Sequence, residues 1–214
     1  MTIETELKYQ ILTNSENSHI IVSDISALLK AQNISFEMEK SQLINDYFDN
    51  DDLALRKMDF GLRIRAKGAL YEQTIKTAGK VVGCLHQRPE YNINIPEPKL
   101  NLALFPLNIW PKNINVLALQ QSLKVIFSTN FSRQTWLLHQ GENIIELALD
   151  QGDIFTASES PSLAINEIEI ELVSGNEQAL FTLAEQLQTV IAMEPSELSK
   201  AARGYTLFYD EMNR

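Results

Sequence analysis

A single cysteine, Cys84, rules out any internal disulfide and suits a reducing cytoplasm, which is the expected location. Its setting reads as a small, half-buried residue rather than a catalytic thiol. No apolar run approaches the roughly 18 residues that a membrane-spanning helix needs. The N-terminus, Met1-Thr2-Ile3-Glu4, is acidic and lacks an apolar core, so it is no signal peptide. Basic residues are the minority: 18 Lys and Arg against 28 Asp and Glu, for a net charge of −10. That excess argues against a nucleic-acid backbone as the main partner, although it leaves room for a local basic pocket. The 3 histidines, His19, His86 and His139, are isolated and show no zinc-ligand spacing. There is no G-x-G-x-x-G, and Thr77-Ala78-Gly79-Lys80-Val81 lacks both the spacing and the Ser or Thr of a phosphate-binding P-loop. No Ser-His-Asp pattern, internal repeat or low-complexity linker is present. What remains is an ordinary globular balance, 44% hydrophobic and 21% charged over 214 residues, enough for a substantial core and read here as one domain over 1–214.

Alternation of apolar and charged residues marks strands at 3–11, 41–49, 60–67, 70–77, 86–95, 125–139, 143–150 and 165–173. Gly79 and Gly83 sit near a hairpin tip, and Asn50-Asp51-Asp52 reads as a turn before a short helix over 52–57. Ile21, Ile25, Leu28 and Leu29 have helix spacing, with Ser15 and Ser18 as candidate caps and Asn33 as the stop. A short helix fits Val116, Leu119, Gln120 and Leu123. A longer one fits 176–191, with Leu180, Leu183, Leu187 and Val190 on one face. Residues 96–113 hold four prolines (Pro96, Pro98, Pro106, Pro111) and read as irregular, and the tail reads as a loop and a short helix. The fold class expected is α+β: about eight strands, joined mostly by short turns and so paired antiparallel, with helices packed outside.

The informative feature is a repeated anomaly. Strand after strand carries ionisable residues at alternate positions: Glu4, Glu6 and Lys8; Arg63 and Arg65; Glu72, Thr74 and Lys76; Arg88 and Glu90; Arg133; Glu146 and Asp150; Glu167, Glu169 and Glu171. A solvent-facing row explains any one strand. For the set it is weakened by the opposite faces, such as Ile168, Ile170 and Leu172, which are apolar enough to require cover. Adjacent carboxylates on one face also repel, raising each other's pKa unless a cation neutralises them. A hard divalent cation with oxygen ligands does this. Closing the sheet with its charged faces inward would gather acids and bases around one lumen. There phosphate oxygens would meet Lys and Arg, and a Glu-held metal would bridge to them.

Glu4-Thr5-Glu6-Leu7-Lys8 resembles the N-terminal Glu-x-Glu-x-Lys signature of the CYTH family, the triphosphate tunnel metalloenzymes. Along nearly the whole chain the resemblance continues through Tyr47-Phe48-Asp49, Leu62-Arg63-Ile64-Arg65, Gln73-Thr74-Ile75-Lys76 and Arg88-Pro89-Glu90. It runs on through Phe131-Ser132-Arg133, Glu146 to Asp150, Glu169-Ile170-Glu171 and Ser199-Lys200-Ala201-Ala202-Arg203-Gly204. The resemblance implies an eight-stranded antiparallel tunnel with helices outside, a divalent metal (Mg²⁺ or Mn²⁺) and a triphosphate-bearing substrate. The branch it is most similar to, the bacterial inorganic triphosphatases, often carries a C-terminal helical CHAD domain, which would belong to a longer form of this protein.

Carried onto this chain, the resemblance implies Glu4, Glu6, Glu169 and Glu171 as metal ligands, with Asp150 and Glu90 serving a second metal or positioning water. It implies Lys8, Arg63, Arg65, Lys76, Arg133, Lys200 and Arg203 as phosphate-binding residues, with Arg88 a lesser member because Pro89 disturbs its strand. Lys8, Asp150, Lys200 and Arg203 are the residues expected to act catalytically. Parity alone leaves Glu72, Glu146 and Glu167 as either inward ion-pair partners or surface residues, and Tyr47 reads as a core aromatic. The expected reaction is hydrolysis of inorganic triphosphate to pyrophosphate and phosphate. The rivals are a class IV adenylate cyclase, a thiamine triphosphatase stacking its substrate on Trp110 or Trp136, and a non-catalytic module binding polyphosphate or nucleotide.

Overall fold

The computed structural model describes residues 1–13, 18–158 and 161–213. The candidate cap Ser15 and the side chain of Ser18 lie outside the described residues. Along the chain run β1 (Thr2–Ile11), α1 (Ser18–Ala31), β2 (Ser35–Asp49), α2 (Ala54–Lys57), β3 (Gly61–Lys67), β4 (Leu70–Lys76), β5 (Lys80–Val82) and β6 (Leu85–Ile95). Two 3₁₀ turns within the proline-rich stretch, Leu102–Leu104 and Leu107–Ile109, lead to α3 (Val116–Ser122). Then come β7 (Lys124–Gln140), β8 (Asn143–Phe155), β9 (Leu163–Ser174), α4 (Gln178–Leu187), β10 (Met193–Pro195) and α5 (Lys200–Met212).

Eight strands hydrogen-bond in the cyclic order β1, β9, β8, β7, β2, β3, β4, β6 and back to β1, all antiparallel. The β1–β6 ladder, from Thr2↔Glu90 to Leu7↔Leu85, closes the barrel, so none of these eight presents a free edge along that ladder. The short β10 and β5 extend the sheet on β1 and β6. β10 has no signal in the sequence, since three residues show no period. β2 begins at Ser35 rather than 41, because Gln134 to His139 of β7 supply partners for Ser35 to Lys40. Ladder pairing rather than amphipathicity makes that segment a strand, since Ser35 to Lys40 are almost all exposed.

Strand parity separates an apolar outside from a charged inside. On the outer face Leu7, Tyr9, Leu147, Leu149, Ile168 and Ile170 pack under α1 and α4 through Ile25, Leu29, Leu180, Leu183 and Leu187. α1 ends at Ala31, and Asn33 just beyond it takes the left-handed backbone (φ 57°) that closes the helix, the Ile34 amide bonding back to the Leu29 carbonyl. α4 ends at Leu187, so Val190, expected on its buried face, lies in the following turn and is 39% exposed. A second apolar cluster joins α2, α3 and the proline-rich stretch to β3 and β4 through Leu55, Leu62, Ile75, Leu102, Phe105 and Trp110. The third lies at one end of the barrel, where Tyr205 and Leu207 of α5 meet Tyr47, Phe127, Phe131 and Ile165. Gly204 makes that seating possible. A Cβ there would lie 2.2 Å from the Phe127 ring, so only glycine lets the helix approach so closely.

Candidate active site

β1 and β9 pair with Glu6 opposite Glu171 and Lys8 opposite Glu169. β8 then sets Glu146 beside Glu171, and β7 sets Arg133 beside Asp150. Across the barrel, β3, β4 and β6 stack in register as Gly61/Lys76/Glu90, Arg63/Thr74/Asn92 and Arg65/Glu72/Asn94. The inward parity of all these strands yields one charged cavity of about 1060 Å³, counting its open mouth. Glu4, Glu6, Lys8, Arg63, Arg65, Lys76, Arg88, Glu90, Arg133, Glu169, Glu171 and Lys200 all line it.

The acids and bases are arranged as two interlocked groups. Glu169 is the hub of the first: it accepts from Lys8 at 2.5 Å, Arg133 at 2.5 Å and Lys200 at 3.0 Å. Behind it Asp150, fully buried, takes both Nε and Nη2 of Arg133 (2.7 and 2.6 Å) and lies 2.6 Å from Lys200. In the second group Lys76 donates to both oxygens of Glu4 at 2.6 and 2.5 Å, and it lies 3.8 Å from Glu90. Burial alone would raise the Glu169 and Asp150 carboxyls. The surrounding cations outweigh it and hold both below their ordinary values, Glu169 well below. Glu4 is likewise held low, burial being overcome by Lys76 and Lys8.

Glu6 and Glu171 behave differently. Burial lifts Glu6 to about 7, with Lys8 pulling it down and Glu169 and Glu4 pushing it up. Burial, then Glu4 and Glu6, lift Glu171 to about 8. Glu171 makes no ion pair among the described residues. Glu6 has one cationic partner, Lys8 at 2.8 Å, and shares it with Glu169, so this side of the cavity carries more carboxylates than cations. That is the donor chemistry a hard divalent cation satisfies. A second trio, Asp150, Glu167 and Glu169, has oxygens within 4.8 Å of one another. The ammonium of Lys200 contacts all three, so their charge is already met by protein. We therefore regard the Glu6/Glu171 side as the one whose chemistry fits a metal.

Cation geometry fits a polyanion. Arg65 is fixed by a buried chain, its Nε bonding Asn45 at 2.8 Å and Asn45 bonding Thr129 at 2.9 Å. It has no acidic partner within 4 Å among the described residues, and burial with Arg63 and Arg133 nearby lowers it to about 10. Arg63 also keeps an unpaired, buried Nε. Some expected site residues stand off the wall. Asp150 lies behind Arg133 and Lys200. Glu167 is buried and bonds Lys200 and Arg203. Arg203, on α5, bonds Glu167 and the Ala164 carbonyl. Arg88 reaches the cavity but turns its guanidinium to Asp59 and the Thr77 carbonyl. Glu72, Glu146 and Tyr47 do line the cavity. Sequence reasoning missed His86 and Asn92, which also line it. Their signal was the parity they share with Arg88 and Glu90. Both tryptophans are remote: Trp136 is fully buried and bonded to Ser26, and Trp110 packs on Phe60.

Comparison with known proteins agrees with this architecture. The sequence profile described as the CYTH domain matches residues 2–205. An inorganic triphosphatase of Haemophilus influenzae is 41% identical over 169 residues, covering 76% of this chain and 45% of that protein. The chain thus spans less than half the length of that curated relative. Among solved structures, a Hippeastrum protein assigned as an adenylyl cyclase and described with a dominant triphosphatase activity superposes with a TM-score of 0.66. It is 20% identical, and the match covers 95% of both chains. A Vibrio parahaemolyticus protein assigned as an adenylate cyclase gives a TM-score of 0.55 at 13% identity, covering 93% of this chain and 95% of that one. At these identities the likeness is one of fold. No helix among the described residues is long and apolar enough to cross a membrane.

Proposed function

Because the chain belongs to the CYTH family, a metal-dependent family, we propose that its tunnel hydrolyses inorganic triphosphate to pyrophosphate and phosphate with Mg²⁺ or Mn²⁺. The observation that carries this reading is the coexistence in one cavity of unpaired Glu171 and of Glu6, which shares its one cation Lys8 with Glu169, with the acid-free guanidinium of Arg65. A module that only bound polyphosphate would need the cations and not the crowded carboxylates. The 41% identity to an inorganic triphosphatase supports the choice of substrate. The remoteness of Trp110 and Trp136 removes the stacking platform that a thiamine group would use.

In this reading Glu6 and Glu171 would hold the cation, with Glu4 and Glu169 joining them by giving up a contact to Lys76 or Lys8, and the cation would withdraw charge from the phosphate oxygens. Lys8, Arg63, Arg65, Lys76, Arg133 and Lys200 grip the substrate and spread the charge that develops as the terminal phosphorus is attacked. Arg88 and Arg203 hold neighbouring backbone and acids in place. Asp150 fixes Arg133 and Lys200, since both of its oxygens are committed to them. Glu90 faces the cavity with only long contacts, 3.6 Å to Arg63 and 3.8 Å to Lys76. It orients the attacking water and takes its proton. The P–O bond to the bridging oxygen then breaks and pyrophosphate leaves.

The test is a phosphate-release panel with tripolyphosphate, ATP and thiamine triphosphate, each with and without Mg²⁺ or Mn²⁺. We expect metal-dependent turnover of tripolyphosphate above the others. Glu171→Ala should lower it by about 10²-fold or more with unchanged circular dichroism. Full activity in that variant, or cyclic AMP formation from ATP as the main reaction, would overturn the reading.

A further inference from the structure

The barrel holds a second cavity, toward the end of β3 and the start of β4, that the reaction does not use. It shares Arg65, Glu72, Arg133 and Glu146 with the first. Ladder register orders the wall in depth. Arg63/Thr74 is followed by Arg65/Glu72, and then by Lys67/Leu70, which belongs to the second cavity alone. Each step advances two residues along the strands, roughly 6–7 Å. The four shared residues therefore form a neck at the end of the phosphate-binding wall, holding its last two cations, Arg65 and Arg133, with two carboxylates.

Two carboxylates stand in that neck. Glu72 faces Arg65 across the ladder yet makes no ion pair among the described residues, and its carboxylate accepts only a long bond from the Thr74 hydroxyl at 3.5 Å. Glu146 lies 3.7 Å from Arg133, whose shorter bonds go to Asp150 and Glu169. Past the neck, Lys67 is the one cation confined to the second cavity among the described residues, and Glu39 neutralises it at 2.5 Å. A phosphate chain that fills the first cavity as far as Arg65 and Arg133 and continues would push its next anionic unit past Glu72 and Glu146, with no free cation beyond them among the described residues.

We infer that Glu72 and Glu146 form an anionic collar that limits the bound chain to three phosphates, selecting tripolyphosphate against longer linear polyphosphates. The inference rests on the triphosphatase reading and adds the determinant of chain length. It is specificity by repulsion: the collar contributes nothing to the correct substrate and penalises the longer one.

The experiment compares kcat/KM for tripolyphosphate and tetrapolyphosphate, with saturating Mg²⁺, in the wild type, Glu72→Gln, Glu146→Gln and the double variant. Glutamine keeps the shape and a hydroxyl-accepting oxygen, and melting temperatures check that the fold persists. The wild type should favour tripolyphosphate by about tenfold or more, and the double variant should narrow that preference by about tenfold. Glu72→Gln should leave tripolyphosphate turnover within about twofold. A wild type that treats both alike, or a preference unchanged in the double variant, overturns the collar while leaving the triphosphatase reading intact. If the wild type cleaves neither anion, the activity reading fails. Calorimetric binding of the two anions then decides the collar, with the same narrowing expected in the double variant and an unchanged ratio overturning it.

Discussion

Glu6 and Glu171 face one another across the β1–β9 ladder, and their elevated carboxyls tie stability to pH in a definite direction. In the unfolded chain both ionise near 4.5, whereas in the folded chain they hold protons to about 7 and about 8. Over that window the folded state binds more protons, so stability falls as pH rises. Glu4, Asp150 and Glu169 are shifted the other way and act only under acid conditions, where stability is lost as pH falls. His86, which burial and Lys8 push below 6.5, opposes the trend near its own range. The metal-stripped protein should therefore melt at lower temperature at about pH 8 than at about pH 5.5, and Mg²⁺ or Mn²⁺ should raise Tm more at the higher pH, where it displaces fewer protons. Differential scanning calorimetry at the two pH values checks this, and equal metal shifts at both would contradict it. At this scale parity was legible: an alternating pattern states which face a side chain takes. Depth was not. Asp150 sits behind the wall because Arg133 and Lys200 come between it and the lumen, and no spacing rule encodes that. Arg88 turns away because the β4–β5 connection brings the Thr77 carbonyl, and the α2–β3 connection brings Asp59, to its guanidinium.

Among the elements, α5 carries the most consequence for its length. Its cap, Ser199, accepts from the Ala202 amide, and its first residue is Lys200. Tyr205 pins it by donating to Asp49 at 2.8 Å, and Asp49 also accepts from the Leu55 and Arg56 amides at the start of α2. A methyl group at Gly204 would force the helix off Phe127. Gly204→Ala should cost about 1–3 kcal/mol of stability and lower kcat more than that loss explains, because Lys200 withdraws from Glu169. Adding Phe127→Leu should recover part of both. Tm and kcat measured on the single and double variants check it, and a single variant with native kcat would show that the helix position is slack. The sequence marked Ser199 to Gly204 only through resemblance. The helix period of the tail is short, and nothing local says that it must meet β2 and β7.

For the molecule as a whole, three apolar clusters on the outside and at one end hold the barrel, and the charged lumen is enclosed by them. Chelation should therefore abolish turnover while leaving the far-ultraviolet circular dichroism unchanged. A collapse of the β signal with chelator would mean that the metal is structural. Strand number, antiparallel pairing and the inward charge were all readable from alternation and short turns. The extra residues of β2 and the whole of β10 were not, because they exist through partners supplied by distant segments.

The first strand takes three partners: β9, β6 and, at its far end, β10. Its signature glutamates thus acquire their neighbours from stretches eighty or more and more than one hundred and sixty positions away. A nascent chain carries Glu4 and Glu6 from the outset yet can assemble no competent lumen until β9 has emerged and returned to meet them. Such long-range closure makes for slow, cooperative folding. It also makes an intact lumen an all-or-none sign that the two ends of the ribbon have met.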